Sequence, residues 1–543
     1  MVFALTAALL LAPSLIVGNL HSHSSPQNLT WAAQFADQFR SGILYPRWLT
    51  ESYDGLGGSA FYFYPPIAFW VDAMLSAATF NALPVPYRLA LSSFLLLWAS
   101  GIAMHAWLKA ETTSTRTALY GSVAYMAAPY HLLDHYYRGA YAEFAAYAIL
   151  PLVMLSVRQI ADRRRFGPVL LACTYAALPM AHLPTALLIS VTALPMYVLY
   201  RGWRIGAAKP AAGFFVHCAL GGALGLGLAS IYLVPALALQ EWIQAETFWV
   251  PFYRVESWFL LTPDRWPRPI DMMQIIASFA AACGIAAIGV VAVMARSGKQ
   301  RWWRSETTFW AAVCIVCLLL IAGVLPWFWQ IPFVAKVQFP WRLMIVVEFA
   351  IVTALCLMPW PVRSRAMSYI FIAAIIALVP GVAGMGLGIR LRVQESLAQQ
   401  EAPQDLNQFM PAGFPRKPDW AYADLGLEPL EGVPTIACTP APRTCRASDA
   451  PFGELGIEID ADAPTAVVLR RFFFPFWRLD PPLPVAATDP LRLVSFTAPG
   501  GHHIYRLHHA VVPEEKIAWA ISGLSLALLL AWAAAAKWGK RPA

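Results

Sequence analysis

The chain is a succession of long apolar runs broken by short polar turns, from VFALTAALLLAPSLIVGNL at its start almost to its C terminus. A bilayer core of about 30 Å takes about 20 apolar residues of helix to cross. Helices also close their own backbone hydrogen bonds, as lipid requires. The spacing predicts a first, uncleaved helix and later spans near 88–107, 118–136, 143–160, 167–180, 184–200, 211–238, 272–295, 307–329, 343–360, 367–389 and 516–536. The expected fold class is therefore a polytopic α-helical membrane protein of about twelve transmembrane helices.

One further apolar run, FYPPIAFWVDAMLSAATFNAL, would invert every later loop if it crossed. Read as a re-entrant or interfacial helix, it leaves the clusters Lys109/Arg116, Arg158/Arg163/Arg164/Arg165, Arg201/Arg204/Lys209, Arg296/Lys299/Arg301/Arg304, Arg363/Arg365 and Lys537/Lys540/Arg541 on one side. The positive-inside rule makes that side cytoplasmic. Both termini are then expected inside the cell.

The opposite face receives the large first loop (21–87), the turn near 138–143, the loop EWIQAETFWVPFYRVESWFLLTPDRWPRP, the turn AKVQFPWR and a long segment after Arg390. That segment starts Pro-rich and acidic and then alternates, in LGIEIDAD, AVVLRRFFFPFW, LRLVSFTA and HHIYRLHH with PGG as a turn, so it reads as strands of a small antiparallel sheet. The expected division is a membrane domain over 1–390, a small β-rich extracytoplasmic domain over 391–515, and a last helix with its tail over 516–543.

Composition agrees with lipid as the main solvent, since 59% hydrophobic and 13% charged residues exceed what one water-soluble core can hide. The net charge of +8 lies mainly in the topology clusters and does not point to nucleic acid. Six of the eight cysteines sit in apolar runs, where they act as small hydrophobes. Cys438 and Cys445 bracket TPAPRT and can close a short disulfide if their compartment is oxidising; otherwise they are two reduced thiols on a loop. There is no soluble nucleotide-binding loop, zinc-type cysteine pattern or internal repeat, and protein partners are not readable.

The densest polar chemistry follows the first span: an amphipathic stretch near 27–41, then YPRW, a Gly-rich turn with Asp54, and an aromatic run through Tyr64 to two prolines. Such a loop either anchors at the headgroups or binds an amphiphilic substrate, with Arg47 offered to a phosphate. A second constellation, HLLDHYYRGAYAEF, places Asp134, His135, Arg138 and Glu143 at or near membrane depth, where charges are paired or functional. A structural salt bridge from Arg138 to Glu143 or Asp134 is the plainer reading, and both can hold.

His182 in PMAHLPTALL lies where two apolar runs meet and reads first as a capped structural residue. Arg342 in VQFPWRL starts a helix on the outer side, where it either snorkels or meets a lipid phosphate. Glu348, deeper in the same span, is expected to face the bundle interior and pair with a basic side chain. The sequon Asn28-Leu29-Thr30 is given no role.

The order of YPRW, GLGG, FYFYPP, YYRGAYAEFAAYAILPL, AHLPTALL and QFPWR resembles the bacterial membrane proteins called 6-pyruvoyl-tetrahydropterin-synthase-related. That name is a domain label, and nothing in the chain is similar to a soluble pterin enzyme. These proteins in turn resemble the GT-C membrane glycosyltransferases, which move a sugar from a polyprenyl-phosphate carrier to an acceptor at the outer face. The resemblance covers nearly the whole chain. It implies a GT-C-like fold, a polyprenyl-phosphate sugar donor, and an acidic residue just after the first helix that acts as a base or holds a divalent cation.

The chain departs from that pattern. His21, Ser22, His23, Ser24 and Ser25 follow the helix, with Ser24 nearest the expected Asp and Asn28 nearest a later expected His. Either a histidine or one of the next acids substitutes, or transfer chemistry is absent. By resemblance Glu143 inherits the acidic position of the second outer turn. The candidate bases are Asp37, Asp54 and Glu143, with Arg47, Arg138 and Arg342 for the phosphate and His21, His23, Asn28, Tyr64, Asp134, His135 and His182 for substrate.

Three functions are weighed: a glycosyltransferase with a lipid-linked donor, a non-catalytic protein that binds or handles a glycolipid or polysaccharide, and a transporter. The last is the weakest, because no inverted repeat appears and few charges lie deep in the spans.

Overall fold

The structure is a computed structural model that describes residues 1–19, 22–112, 114–206, 211–261, 270–297, 301–358, 405–415, 430 and 432–538. His21, the expected span at 367–389 and the Pro-rich start of the late segment lie outside the described residues.

Helices dominate up to residue 358. They are α1 (Val2–Leu10), α2 (Ser25–Arg40), α3 (Ile67–Ala78), α4 (Val85–Glu111), α5 (Thr115–Met126), α6 (Tyr141–Ala161), α7 (Gly167–Ala181), α8 (Leu183–Val191), α9 (Ala193–Gly206), α10 (Ala212–Ala238), α11 (Ile270–Arg296), α12 (Glu306–Ala322) and α13 (Met344–Leu357). The helix α14 (Pro513–Trp538) follows the β domain.

Seven helical segments among the described residues are long and apolar enough to cross a membrane: Val85–Glu111, Tyr141–Ala161, Leu183–Gly206, Ala212–Ala238, Met272–Arg296, Pro340–Leu357 and Pro513–Lys537. The expected dozen is therefore not met among them, and the reasons are local. The first apolar run breaks after Leu10, with Pro13 in the first turn of the short helix that follows. The run at 118–136 stops at Met126 and restarts at Pro129 as a short helix and a π-helical turn, Asp134–Arg138. Helices α3, α7 and α12 are apolar but shorter.

The length of α3 bears on the topology. Its 12 residues rise about 18 Å, short of a bilayer core. It packs on α2 and α4, and a buried pair fixes it there: Arg88 donates through Nε to both Asp72 oxygens (3.0 and 2.9 Å) and through its Nη atoms to Asn81 Oδ1 and Ala32 O. In the bundle, α4 packs on α6, α6 on α7, α7 on α10 and α10 on α14. The indole of Trp107 stands edge-on to Tyr197 and Trp310 and donates to Thr353 Oγ1 at 3.0 Å. At the far end of these helices Arg158 and Arg201 share Glu306 and Asp162, and Arg158 also meets Glu111.

The late segment is a small β domain of two four-stranded antiparallel sheets. One runs β1 (Ile436–Thr439), β4 (Thr465–Phe472), β7 (Leu493–Ala498), β6 (Ala486–Ala487); the other runs β2 (Thr444–Asp449), β3 (Leu455–Ala461), β8 (Gly501–His509), β5 (Trp477–Asp480). In β3 every second residue is buried, as expected of a strand with one face on a core. Phe496 of one sheet meets Tyr505 of the other at 5.5 Å, so the buried faces oppose each other. The run AVVLRRFFFPFW is not one strand. It leaves the first sheet after Phe472 and enters the second at Trp477, across Pro475, which has no N–H for a ladder. A disulfide joins Cys438 of β1 to Cys445 of β2.

The first loop seats the β domain on the membrane helices. Leu49 and Gly58 pair across a tight turn, with both backbone bonds at 2.8 Å. Gly57 inside it has φ +84°, and a Cβ there would stand 2.4 Å from the Trp48 ring. Trp48 then packs edge-on against Phe476, Trp477 and His509. Phe472 N donates to Leu56 O, and Arg470 binds the Asp54 carboxylate at 2.5 Å.

Candidate functional site

A cavity of about 340 Å³ opens among the start of α2, the turn before α6, the α7–α8 junction, the loop after α10, the turn before α13 and residues 406–408. Of the residues singled out in the sequence, it gathers His23, Tyr64, Arg138, Glu143, His182 and Arg342. Glu143 is the one carboxylate among its described lining residues.

The turn Asp134–Gly139 builds the polar floor. Gly139 adopts φ +61°, and a Cβ on it would lie 2.1 Å from Ser22 Oγ, so only glycine lets the segment after the first helix come this close. That segment is then pinned by His23 N to Tyr137 O (2.9 Å), Ser24 N to Arg138 O (3.0 Å) and Asn28 Nδ2 to Gly139 O (2.8 Å). Asn28 thus holds the frame and is not among the cavity's lining residues. Burial, and after it the Arg138 guanidinium, hold the His23 imidazole below its ordinary pKa, so it stands neutral at pH 7.

Glu143 is 1% exposed. Its Oε1 accepts from Tyr130 Oη and its Oε2 from Arg138 Nη1, each at 2.8 Å. Arg138 also binds the buried Asp134. The Nε of Arg342 stands 3.6 Å from the same Oε2 and has no hydrogen-bond partner among the described residues. Two guanidiniums therefore meet at one carboxylate oxygen, and one of them keeps a buried donor to spare. A carboxylate offers about four acceptor sites, so Glu143 has acceptor capacity beyond these two bonds. Burial pushes the Tyr64 phenol up to about 12, which leaves it a neutral donor. His182 Nδ1 shares a 2.7 Å bond with the Thr185 hydroxyl rather than capping the backbone of the helix it precedes, and the ring lines the cavity.

The remaining wall is aromatic: Phe248, Phe252, Tyr253 and Trp258 from the loop after α10, with Phe339 and Trp341 ahead of α13. Trp341 stacks on Phe339 at 4.5 Å and meets Trp258 edge-on at 5.1 Å. Leu406 and Gln408 close one side. Their strap is latched by Asp405, which accepts from Trp31 Nε1 (3.0 Å), Ser52 Oγ (2.9 Å) and Tyr53 N (2.8 Å).

Several expected site residues lie elsewhere. Arg47 is buried between Glu515 (3.1 Å) and Ile231 O (2.6 Å), so it ties the first loop to α14 and α10 rather than facing the cavity. Asp54 is an exposed docking contact for Arg470, and Asp37 an exposed partner of Arg40. Asp134 is enclosed beneath Arg138, and His135 Nε2 shares a bond with Ser14 Oγ at 2.8 Å. Glu348 does face the interior, but among the described residues its oxygens accept from Tyr130 N and Tyr147 Oη and not from a basic side chain. The aromatic wall and the strap were not singled out in the sequence. Alternating aromatics such as TFWVPFY look like an interfacial belt, and Asp405 sits in an unremarkable polar stretch.

These features define a multi-pass membrane protein with a polar cavity walled by aromatic side chains. The sequence model of the family described as "6-pyruvoyl-tetrahydropterin synthase related domain; membrane protein" matches residues 61–385, and the chain belongs to that family. No curated protein matches it. Among solved structures it is similar to the crystal structure of ArnT from Cupriavidus metallidurans bound to undecaprenyl phosphate, with 14% identity and a TM-score of 0.31, over 65% of this chain and 77% of that one.

Proposed function

We propose that the protein is a GT-C-like glycosyltransferase of the bacterial inner membrane, which takes a sugar from a polyprenyl-phosphate donor and passes it to a cell-envelope acceptor on the outer face. The observation that carries this reading is the meeting of Arg138 and Arg342 at Glu143 inside an aromatic-walled cavity. An amphiphilic phosphate needs both chemistries, cations for the leaving phosphate and apolar rings for the prenyl chain. Arg342, with its spare Nε, is the phosphate ligand. Glu143 accepts the acceptor hydroxyl and orients it, with His23 and His182 as the neutral imidazoles able to take its proton.

A second reading, binding without turnover, is favoured by one specific arrangement. Glu143 is already engaged by Tyr130 and Arg138, and Ser24 stands in the cavity lining where the related proteins are expected to carry an acid. The experiment is to give the purified protein, in lipid nanodiscs, undecaprenyl-phosphate-linked sugars and an envelope-glycan acceptor, and to measure released undecaprenyl phosphate. Transfer predicts release that is lost in His182→Ala and Glu143→Gln when equal amounts of folded protein are compared. Binding of the donor with no release from the wild type overturns the transferase reading in favour of the second.

A further inference from the structure

We propose that a separate cleft, lined by Glu241, Trp242, Pro411, Ala412, Phe473 and Arg492, binds one pyranose ring of a neutral glycan. The assignment deepens the reading above, on which it rests for the glycan's origin in the envelope. The cleft measures about 150 Å³, a volume that in a protein interior accepts one six-membered ring. Three parts of the molecule meet there. Ile243 and Pro411 form an isolated bridge between the loop after α10 and the strap, and Ala412 N donates to Trp242 O at 3.0 Å. The β domain adds Phe473, whose ring stands 5.9 Å from that of Trp242, and Arg492.

The chemistry is that of sugar recognition. Trp242 and Phe473 are partly exposed, unlike the core aromatics of the same domain, so they offer apolar surface to the C–H face of a ring. At the rim Glu241 is an exposed carboxylate and Arg492 a guanidinium, an acceptor and a forked donor for neighbouring hydroxyls. Their opposite charges suit a neutral ring.

Arg492 is also held in an uncommon conformation. Its φ is +56°, fixed by Arg492 N to Thr488 O and Phe473 N to Arg492 O, each 2.8 Å. A non-glycine residue in that region is rare, and such residues gather at functional sites. One side-chain arm binds Asp489, while Nε is buried without a partner among the described residues.

Position supports the link to the large cavity. The strap that closes that cavity with Gln408 reaches this cleft at Pro411, three residues on and so at most about 10 Å away along the chain.

The test uses the full-length protein in nanodiscs, titrated by calorimetry with cellohexaose, maltohexaose and mannohexaose, and separately with undecaprenyl phosphate. At least one hexasaccharide should bind the wild type. Trp242→Ala should weaken it at least about tenfold, and Glu241→Gln, a surface change that leaves the fold intact, about fivefold. Undecaprenyl phosphate binding should stay within about twofold of wild type in both variants. Failure of all three sugars to bind, or binding indifferent to Glu241→Gln and Trp242→Ala, overturns the proposal. Loss of undecaprenyl phosphate binding by the wild type, with sugar binding intact, would instead overturn the donor reading and leave the cleft standing.

Discussion

Replacing Glu143 by glutamine keeps the side chain's shape and removes the negative charge that Arg138 and Arg342 share. Arg138 retains Asp134, but Arg342 Nε has no other acidic neighbour within ion-pair distance among the described residues, and the glutamine amide can turn an N–H toward a guanidinium. Removing one partner of a buried pair costs about 3–5 kcal/mol, because the other charge is left in a poor solvent. The pairing retained by Arg138 puts Glu143→Gln near the lower end, at about 3 kcal/mol. The assay is reversible unfolding in mixed micelles on titration with SDS, comparing wild type, Glu143→Gln, Arg138→Gln and the double variant. Since the two residues are in direct contact, the double variant should be less destabilised than the sum of the singles by at least about 1 kcal/mol. A Glu143→Gln loss under about 1 kcal/mol, or strict additivity, would refute the claim that these charges form one unit.

Three further outcomes follow from the same geometry. Gly139→Ala must adopt φ +61° and drive a Cβ toward Ser22, so it should lose at least about 2 kcal/mol, whereas Gly55→Ala, at φ +77° with nothing within 4 Å, should lose only the backbone term of about 1 kcal/mol; equal losses in denaturation would contradict the close approach. Asp405→Asn can keep Trp31 and Ser52 on its oxygen but sets an amide N–H against Tyr53 N, so the strap should loosen by about 2 kcal/mol and become cleavable near residue 406 in limited proteolysis. His509, packed at 4.3 Å on Phe476 and 4.4 Å on Trp477, has its pKa lowered from 6.5 to about 3 by burial, with the charge of His508 a smaller cause. The unfolded imidazole therefore protonates first, and stability present above pH 6.5 is lost as pH falls toward 3, by about 1–2 kcal/mol at pH 5. A melting temperature with the same pH 7.5 to pH 5 change in wild type and His509→Phe would remove His509 from that account.

What could be read from the sequence followed from contrast with the surroundings. Glu143, Arg138, His182 and Arg342 are polar groups inside or beside apolar runs, where each one demands a reason, and four of the eight strands announced themselves by alternation. The first loop misled because density of motifs along a chain is not convergence in space. YPRW and GLGG mark where the loop folds on itself and receives the β domain, so Arg47 and Asp54 became structural contacts. The strap at 405–415 was illegible for a different reason. Its partners Trp31, Ser52 and Tyr53 lie more than three hundred residues earlier, and no local pattern encodes a pairing of that range. The count of twelve spans is not met among the described residues partly because hydropathy averages over Pro13 and Pro129, each of which opens a new short helix instead of continuing the run before it.

The central claim is that the aromatic-walled cavity receives a prenyl-linked phosphate at its arginines. Its most direct test is a cryo-electron microscopy structure of the protein in nanodiscs saturated with undecaprenyl phosphate. The account predicts phosphate density within hydrogen-bonding distance of Arg342 Nε, with the prenyl chain along Phe252, Trp258 and Phe339. Lipid bound elsewhere on the protein at saturation, with this cavity empty, would contradict it.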